Sequence, residues 1–169
     1  MTACEALDLV LNSYGVYYNV SREDVTEPFA AEAAFHAQEA QYFLVKAVQM
    51  SATESHEYIF FAVTEHLTLE LAQQYDKIAW ETGMARVVSG PNHRNTDVAL
   101  VILADHVDDD AAAFLKKLRR YQSYKHTFHG WSHYRIVALE TSSEKLVFNR
   151  MGQSMKKLFR KIILQKKES

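Results

Sequence analysis

The chain contains very little cysteine, glycine or proline. Cys4 is the single cysteine in 169 residues, which also include five glycines and two prolines. One thiol cannot form an intramolecular disulfide, which favours a cytoplasmic location. The sequence has no glycine-rich turn of the kind that holds nucleotide phosphates, and no Gly-x-Ser-x-Gly turn marks a serine nucleophile. Composition and motifs therefore lean against an enzyme, and no cofactor is predicted.

Long apolar runs are also missing. No segment approaches the ~18 apolar residues that a membrane-spanning helix needs; the longest run lies near residues 98–104. The N-terminal segment is acidic and lacks the basic region and apolar core of an export signal. The hydrophobic content is 48%, and there is no repeat or linker-like stretch. Residues 1–169 are therefore predicted to form one globular domain in the cytoplasm.

Acidic and basic residues are concentrated in different parts of the chain. Residues 1–115 carry 18 Asp and Glu against 5 Lys and Arg, a formal charge of −13. Residues 116–169 carry 3 acidic residues against 14 basic ones, a formal charge of +11. Such a division is typical of proteins that bind nucleic acid, an acidic partner or a second copy of themselves. The opposite charges could also pair within one subunit.

Hydrophobic periodicity predicts ten secondary-structure elements. Helices are predicted at residues 4–14, 68–83, 108–120 and 151–163, with Gly83 as a left-handed C-terminal residue. Strands are predicted at residues 58–63, 97–105, 131–140 and 145–148, and residues 84–96 are predicted to be a loop. Residues 29–50 are interpreted as a hairpin, although their alanines also favour a helix. The order α-β-β-β-α-β-α-β-β-α predicts an α+β or α/β fold, with helices flanking a mixed sheet in which residues 97–105 are central.

The segment from Arg119 to Arg135 alternates cations with aromatic rings. This mixture suits contact with phosphates together with stacking on bases. The alternative is a helix end and a strand whose rings enter the core while the cations remain solvated. The last helix, apolar on one side and basic on the other, fits core packing, a partner or a membrane surface. Besides the last helix, the candidate nucleic-acid-binding residues are Lys116, Lys117, Arg119, Arg120, Lys125, Arg135, Tyr121, Tyr124 and Trp131.

Three histidines, His126, His129 and His133, follow one another at spacings of three and four residues. Neutral imidazole is a common metal ligand, and helical spacing would bring all three rings together. Gly130 and the residues after it favour a strand instead, in which only His129 and His133 share a face. No nearby carboxylate or cysteine completes a site of recognised spacing, so no metal site is predicted from these histidines.

A group of glutamates occupies the proposed three-strand region: Glu32, Glu39, Glu54, Glu57 and Glu65. A helix, three strands, a helix and a strand in that order are similar to the core of restriction-endonuclease-like proteins. Active members need paired carboxylates for Mg²⁺ and usually a lysine one residue beyond the second acid. Neither Glu57-Tyr-Ile59 nor Glu65-His-Leu67 has that lysine. The resemblance therefore implies an inactive or divergent relative more than an active nuclease.

Four phrases of the sequence resemble an uncharacterised family of short proteins from Clostridia-type bacteria. They are Phe29-Ala-Ala-Glu-Ala-Ala-Phe-His36, His56-Glu-Tyr-Ile-Phe-Phe-Ala-Val-Thr-Glu-His-Leu67, His129-Gly-Trp-Ser-His-Tyr-Arg135 and Phe148-Asn-Arg-Met-Gly152. The resemblance implies a bacterial cytoplasmic setting and no particular activity. From the charge division we expect a non-enzymatic binding or regulatory domain that self-associates through its acidic and basic surfaces. Nucleic-acid binding through the basic C-terminal third is the alternative from another class.

Overall fold

The computed structural model describes residues 1–36 and 54–167, except for the side chains of residues 166 and 167. In these ranges the helices are α1 (Ala3–Tyr14), α2 (Leu69–Ala85), α3 (Asp109–Lys117) and α4 (Lys156–Lys167), and a 3₁₀ helix covers Met151–Met155. The strands are β1 (Asn19–Ser21), β2 (Ala31–His36), β3 (Glu54–Leu67), β4 (His93–Val107), β5 (Tyr121–Ser123), β6 (Trp131–Glu140) and β7 (Lys145–Phe148). None of these helices is long and apolar enough to cross a membrane.

The strands form one mixed sheet in the order β1-β2-β3-β4-β6-β5, and β7 also pairs with β6. The three middle strands β3, β4 and β6 are parallel, whereas the β1–β2, β2–β3, β5–β6 and β6–β7 pairs are antiparallel. The unit β3-α2-β4 therefore joins parallel neighbours. The mixed sheet with flanking helices is confirmed.

Helices cover both faces of the sheet, which explains the unbroken apolar run of β4. Residues 98–104 are fully buried, as expected for a strand covered on both sides. Alternate residues such as Val101 and Leu103 pack on the side of α1 and α4. Their neighbours Leu100 and Ile102 pack on the side of α2 and α3. The result is a three-layer arrangement with β4 in its middle.

Two predicted helix ends are wrong. Gly83 does not terminate α2, which continues to Ala85. A Cβ atom at Gly83 would lie 2.5 Å from Val98 Cγ2, so glycine is needed there for close approach of helix to sheet, not for a left-handed conformation. In the same way α3 ends at Lys117. Arg119 and Arg120 lie beyond its end and lead into β5.

Other differences concern short or irregular segments. The first strand of the segment interpreted as a hairpin is present as β2, but its partners over residues 31–36 are β1 and β3. The predicted return strand lies outside the described residues. The strands β1 and β5 were not predicted, because three residues are too few to show a period. The predicted loop 84–96 is too long, since β4 begins at His93. The predicted last helix begins with the 3₁₀ turn at Met151–Met155.

Candidate functional site

Basic side chains from three segments of the chain meet around one groove of about 770 Å³. The first segment is the end of α3 with the two residues that follow it, 118 and 119. The second is residue 150, just before the 3₁₀ helix, and the third is α4. These groove cations are Lys116, Arg119, Arg150, Lys156 and Arg160. Glu144 is the single acidic residue that the described lining contains. Residues far apart in sequence thus create one concentrated patch of positive charge.

The groove has a partly apolar lining below these cations, which includes Leu146, Phe148, Ile163 and Leu164. Within the described part of the chain, the ion pairs involve Arg22, His56, His66, Arg86, Arg120 and Arg135, and none of the groove cations. The five groove cations thus greatly outnumber the acidic groups in the described lining. Such a groove attracts anions.

A smaller groove of about 410 Å³ adjoins the first one. Arg119, Asn149 and Arg150 line both grooves, so the two grooves border each other at these residues. The smaller groove is also lined by Arg120, Tyr121, His133, Tyr134 and Met151. Three of the predicted binding residues, Arg119, Arg120 and Tyr121, therefore lie here, and Lys116 joins Arg119 in the larger groove.

The buried side chain of Asn149 fills a gap in the edge of the sheet. Along the outer edge of β6, β5 pairs with residues 131–133 and β7 with residues 137–140. Between them, Asn149 Nδ2 donates to the carbonyl oxygen of Tyr134 at 2.9 Å, and Asn149 Oδ1 accepts from the amide nitrogen of Ile136 at 2.9 Å. The amide side chain thus takes the place of a strand residue and satisfies backbone groups that would otherwise be unpaired.

Asn149 also joins the segments that carry the groove cations. Its Oδ1 accepts from the amide nitrogen of Gly152 at 2.7 Å, and its Nδ2 lies 3.4 Å from the carbonyl oxygen of Leu118. A Cβ atom at Gly152 would lie 2.0 Å from the carbonyl oxygen of Ile136. The turn from Asn149 to Gly152 is therefore packed directly on β6, which fixes the backbone beside Arg119 and Arg150. Sequence reasoning missed this role of Asn149.

Arg120 contributes less charge to the smaller groove than its position suggests. Its Nε and Nη2 atoms donate to the two carboxylate oxygens of Asp76 at 2.9 and 2.7 Å. This bond raises the pKa of Arg120 and leaves the guanidinium neutralised by a buried partner. The cations that remain for a ligand at this point are Arg119 and Arg150.

Arg135 lies away from both grooves, in an internal ion-pair cluster. Its Nη2 is 2.6 Å from Asp97 Oδ2, and its Nη1 is 3.3 Å from Glu57 Oε1. Glu57 also accepts a hydrogen bond of 2.6 Å from the Tyr18 hydroxyl. Burial raises the pKa of Glu57, although Tyr18 and Arg135 oppose this effect. Arg135 therefore serves as the counter-ion of two carboxylates, the buried Asp97 and the partly buried Glu57.

The remaining predicted binding residues line neither groove. Lys117 is exposed at the end of α3, and Lys125 lies in a turn with φ 45°. The Tyr124 hydroxyl is 3.0 Å from Ser132 Oγ, and the Tyr124 ring contacts His93. Trp131 is half-buried at the start of β6.

The three histidines His126, His129 and His133 do not come together as a metal site. The part of the chain that the structure describes holds no group of three or more His, Cys, Asp or Glu able to bind a metal ion. His133 contacts the ring of Tyr121. The His129 carbonyl oxygen lies 2.7 Å from His93 Nδ1. A carbonyl only accepts, so His93 Nδ1 carries the proton.

A different histidine pair spans β2 and β3, and sequence reasoning missed it. His36 Nδ1 and His56 Nδ1 lie 2.7 Å apart, at facing positions of the antiparallel pair. Burial, followed by the charge of His36, lowers the pKa of His56, and Glu54 opposes the effect. At a distance of 2.7 Å one Nδ1 atom must donate a hydrogen bond to the other, and the accepting ring must be a neutral imidazole.

The glutamates of the proposed nuclease-like region are separated. Glu32 pairs with Arg86 and belongs to the α2 face of the sheet, whereas Glu57 belongs to the α1 face because successive strand residues alternate. Glu65 lies eight residues along β3 from Glu57, and Glu39 lies outside the described residues. The adjacent carboxylates in this region are Glu57 and Asp97, which are register partners and share Arg135.

The fold and site define a three-layer α/β/α protein with a cationic groove beside one edge of its mixed sheet. The chain belongs to the family described as a domain of unknown function (DUF8052), which matches residues 3–161. The predicted resemblance to an uncharacterised family is thereby confirmed. No curated protein and no solved structure matches the chain. The bacterial and cytoplasmic setting stays a prediction.

Proposed function

We propose that this protein binds nucleic acid, with the phosphate backbone lying along the larger groove. The observation that carries the proposal is the convergence of the five groove cations from three separate segments. Neutralisation of phosphates by Lys and Arg, with release of counterions, supplies most of the affinity of such complexes. The proposed role is therefore binding through electrostatic contact.

Two features distinguish this groove from an ordinary solvated face. A charge run in a helix usually presents its cations to solvent, whereas here Lys116 of α3 and Arg160 of α4 line the same concave surface. The backbone beside Arg119 and Arg150 is also held by the hydrogen bonds of Asn149. A fixed backbone limits the positions from which these two arginines can reach a ligand, which reduces the entropy lost on binding. Both features support a built anion site.

The test is a fluorescence titration with labelled oligonucleotides of about 12 nucleotides, single-stranded and duplex, over a series of salt concentrations. The variant K156E/R160E reverses two groove cations on α4. If each contacts one phosphate, the slope of log affinity against log salt should become shallower by about 1.4 for single strands, and low-salt affinity should fall. The matched control K77E/R94E makes the same change in net charge at exposed positions that line neither groove.

Two results would overturn the proposal. One is the absence of binding to either oligonucleotide below ~100 μM at low salt, which is weaker than ordinary non-specific association. The other is an equal loss of affinity in K156E/R160E and K77E/R94E, which would show that only net charge matters.

Self-association through acidic and basic surfaces stays a prediction from the charge division. Part of that opposite charge pairs within the chain, since Arg120 binds Asp76 and Arg135 binds Glu57 and Asp97. Exposed acids such as Asp109 and the groove cations remain for contact between subunits. Sedimentation at increasing salt should show a dimer that dissociates, because screening weakens exposed charge pairs. A monomer at low salt and micromolar concentration would contradict it.

A further inference from the structure

We infer that the smaller groove is a base-stacking subsite, and that the protein selects single-stranded over duplex nucleic acid. This inference rests on the proposed function, because the subsite adjoins the phosphate groove. It adds the class of nucleic acid that is bound and the residue that selects it, Tyr121.

Tyr121 is a large aromatic residue that the fold leaves exposed and yet holds in place. It begins the three-residue edge strand β5 and faces His133 in the register with β6. The two ring centroids are 5.2 Å apart at an interplanar angle of 44°. Even so, 54% of Tyr121 is exposed. An anchored ring with a free surface is the kind of platform on which bases stack.

The smaller groove has the size and the neighbours that a nucleotide requires. Its volume of about 410 Å³ falls within the usual range for small-ligand sites, about 300–1,000 Å³. Arg119 and Arg150 line both grooves. A phosphate held between these two arginines would place one attached base beside Tyr121 and direct the rest of the backbone along the larger groove.

Two polar side chains around the subsite, Asn149 and Arg120, are already hydrogen-bonded within the protein, which favours holding a base by stacking and not by hydrogen bonds that distinguish one base from another. All hydrogen-bonding groups of the Asn149 side chain are engaged with backbone atoms of the protein. Arg120 is engaged with Asp76. Neither side chain is therefore free to recognise a base edge, and sequence preference should be weak, as is usual for recognition by stacking.

Duplex DNA cannot use this subsite in the same way. Its bases are stacked on each other, and exposing one costs a few kcal/mol of unstacking and unpairing. A single strand already has bases that can turn outward onto an aromatic ring. The contribution of Tyr121 should therefore appear for single strands and be small for duplexes.

The test compares Tyr121→Thr, which removes the ring but retains a residue that favours strands, with Tyr121→Phe, which retains the ring. The probes are fluorescent mixed-sequence oligonucleotides of about 12 nucleotides, used as single strands and as duplexes. Tyr121→Thr should weaken single-strand binding by roughly 5- to 100-fold, as expected for loss of one stacked base. Its salt dependence and its duplex binding should be unchanged, and Tyr121→Phe should behave as the unaltered protein.

The outcomes separate this inference from the proposed function. Equal binding of single strands and duplexes, with no effect of Tyr121→Thr but a clear effect of K156E/R160E, would overturn the stacking subsite alone. Equal losses in Tyr121→Thr and Tyr121→Phe would also overturn it, since the ring would then not be the determinant. No binding of any oligonucleotide would overturn both proposals.

Discussion

Asn149→Ala is expected to lower the free energy of unfolding by roughly 3–6 kcal/mol, enough to unfold many domains of this size. The substitution removes the partners of four backbone groups, which belong to Tyr134, Ile136, Gly152 and Leu118. Asn149 is 1% exposed but borders both grooves, so water should replace only part of the lost bonds. Each buried backbone group left unpaired costs about 1–3 kcal/mol. The expected total lies at the low end of the sum for four groups, because water replaces some of the lost bonds and the contact with Leu118 is long, at 3.4 Å.

Urea denaturation followed by circular dichroism measures this effect, with the exposed Asn12→Ala as the matched control. Asn149→Asp adds a sharper comparison, because a carboxylate keeps the acceptor oxygens and loses the donors to Tyr134 and Leu118. It should be destabilised at pH 7 and recover partly at low pH, where a protonated carboxyl can donate one bond. A loss below ~1 kcal/mol in Asn149→Ala would show that the sheet edge does not depend on this side chain.

The sequence predicts the central position of β4 but not the structural role of Asn149. The run from Val98 to Ala104 has a signal of its own, because a strand buried on both faces must be apolar throughout. Asn149 is one polar residue between a strand and a helix and shows no period. Its role depends on the gap that β5 and β7 leave along β6, which only the tertiary structure defines.

Two glycines are also required by tertiary contacts and not by the local conformation of the backbone. Gly83 stands near a helix end, where a left-handed terminating residue is common, and this local rule led to the wrong boundary. The actual cause is the contact with Val98 across the helix–sheet interface. Gly152 likewise permits close packing on Ile136. Neither contact can be read from neighbouring residues.

The candidate site could be predicted only in part. Arg119 belongs to the basic segment from residue 119 to 135, Lys116 is the predicted candidate just before it, and Lys156 and Arg160 belong to the predicted last helix. Arg150 lies outside all of these and reaches the groove through the turn after β7. Arg135 belongs to the same basic segment but points to internal carboxylates. A signal was present, because an arginine within a buried apolar strand requires an acidic partner. Proximity in sequence does not report which surface a strand residue faces.

Arg135→Met is expected to lower the free energy of unfolding at pH 7 by about 2–4 kcal/mol. This is less than the ~3–5 kcal/mol for removing one partner from a fully buried ion pair, because the Arg135 side chain is 27% exposed. The variant leaves the carboxylates of Glu57 and Asp97 next to each other without their cation. Because burial already raises the pKa of Glu57, with Arg135 opposing it, the loss of Arg135 should raise that pKa further. The cost should therefore depend on pH.

The direction of this dependence follows from linkage. A carboxyl group whose pKa is higher in the folded than in the unfolded state favours folding below its unfolded pKa, and that contribution is lost as pH rises through the folded pKa. The deficit of Arg135→Met should therefore be largest near neutral pH and shrink as pH falls towards ~4, the range in which unfolded glutamate is protonated.

Urea titrations from about pH 4 to pH 7 test this expectation, with the exposed Arg94→Met as the control for loss of a surface arginine, which should cost within about 0.5 kcal/mol. Adding Glu57→Gln to Arg135→Met should recover part of the lost stability at pH 7 and reduce the pH dependence, because a neutral amide replaces one of the two buried charges. The coupling between the two substitutions is then measured by a double-mutant cycle. A deficit that is constant over this pH range would mean that Arg135 acts through packing of its side chain, and that Glu57 is not held in its charged form by this arginine.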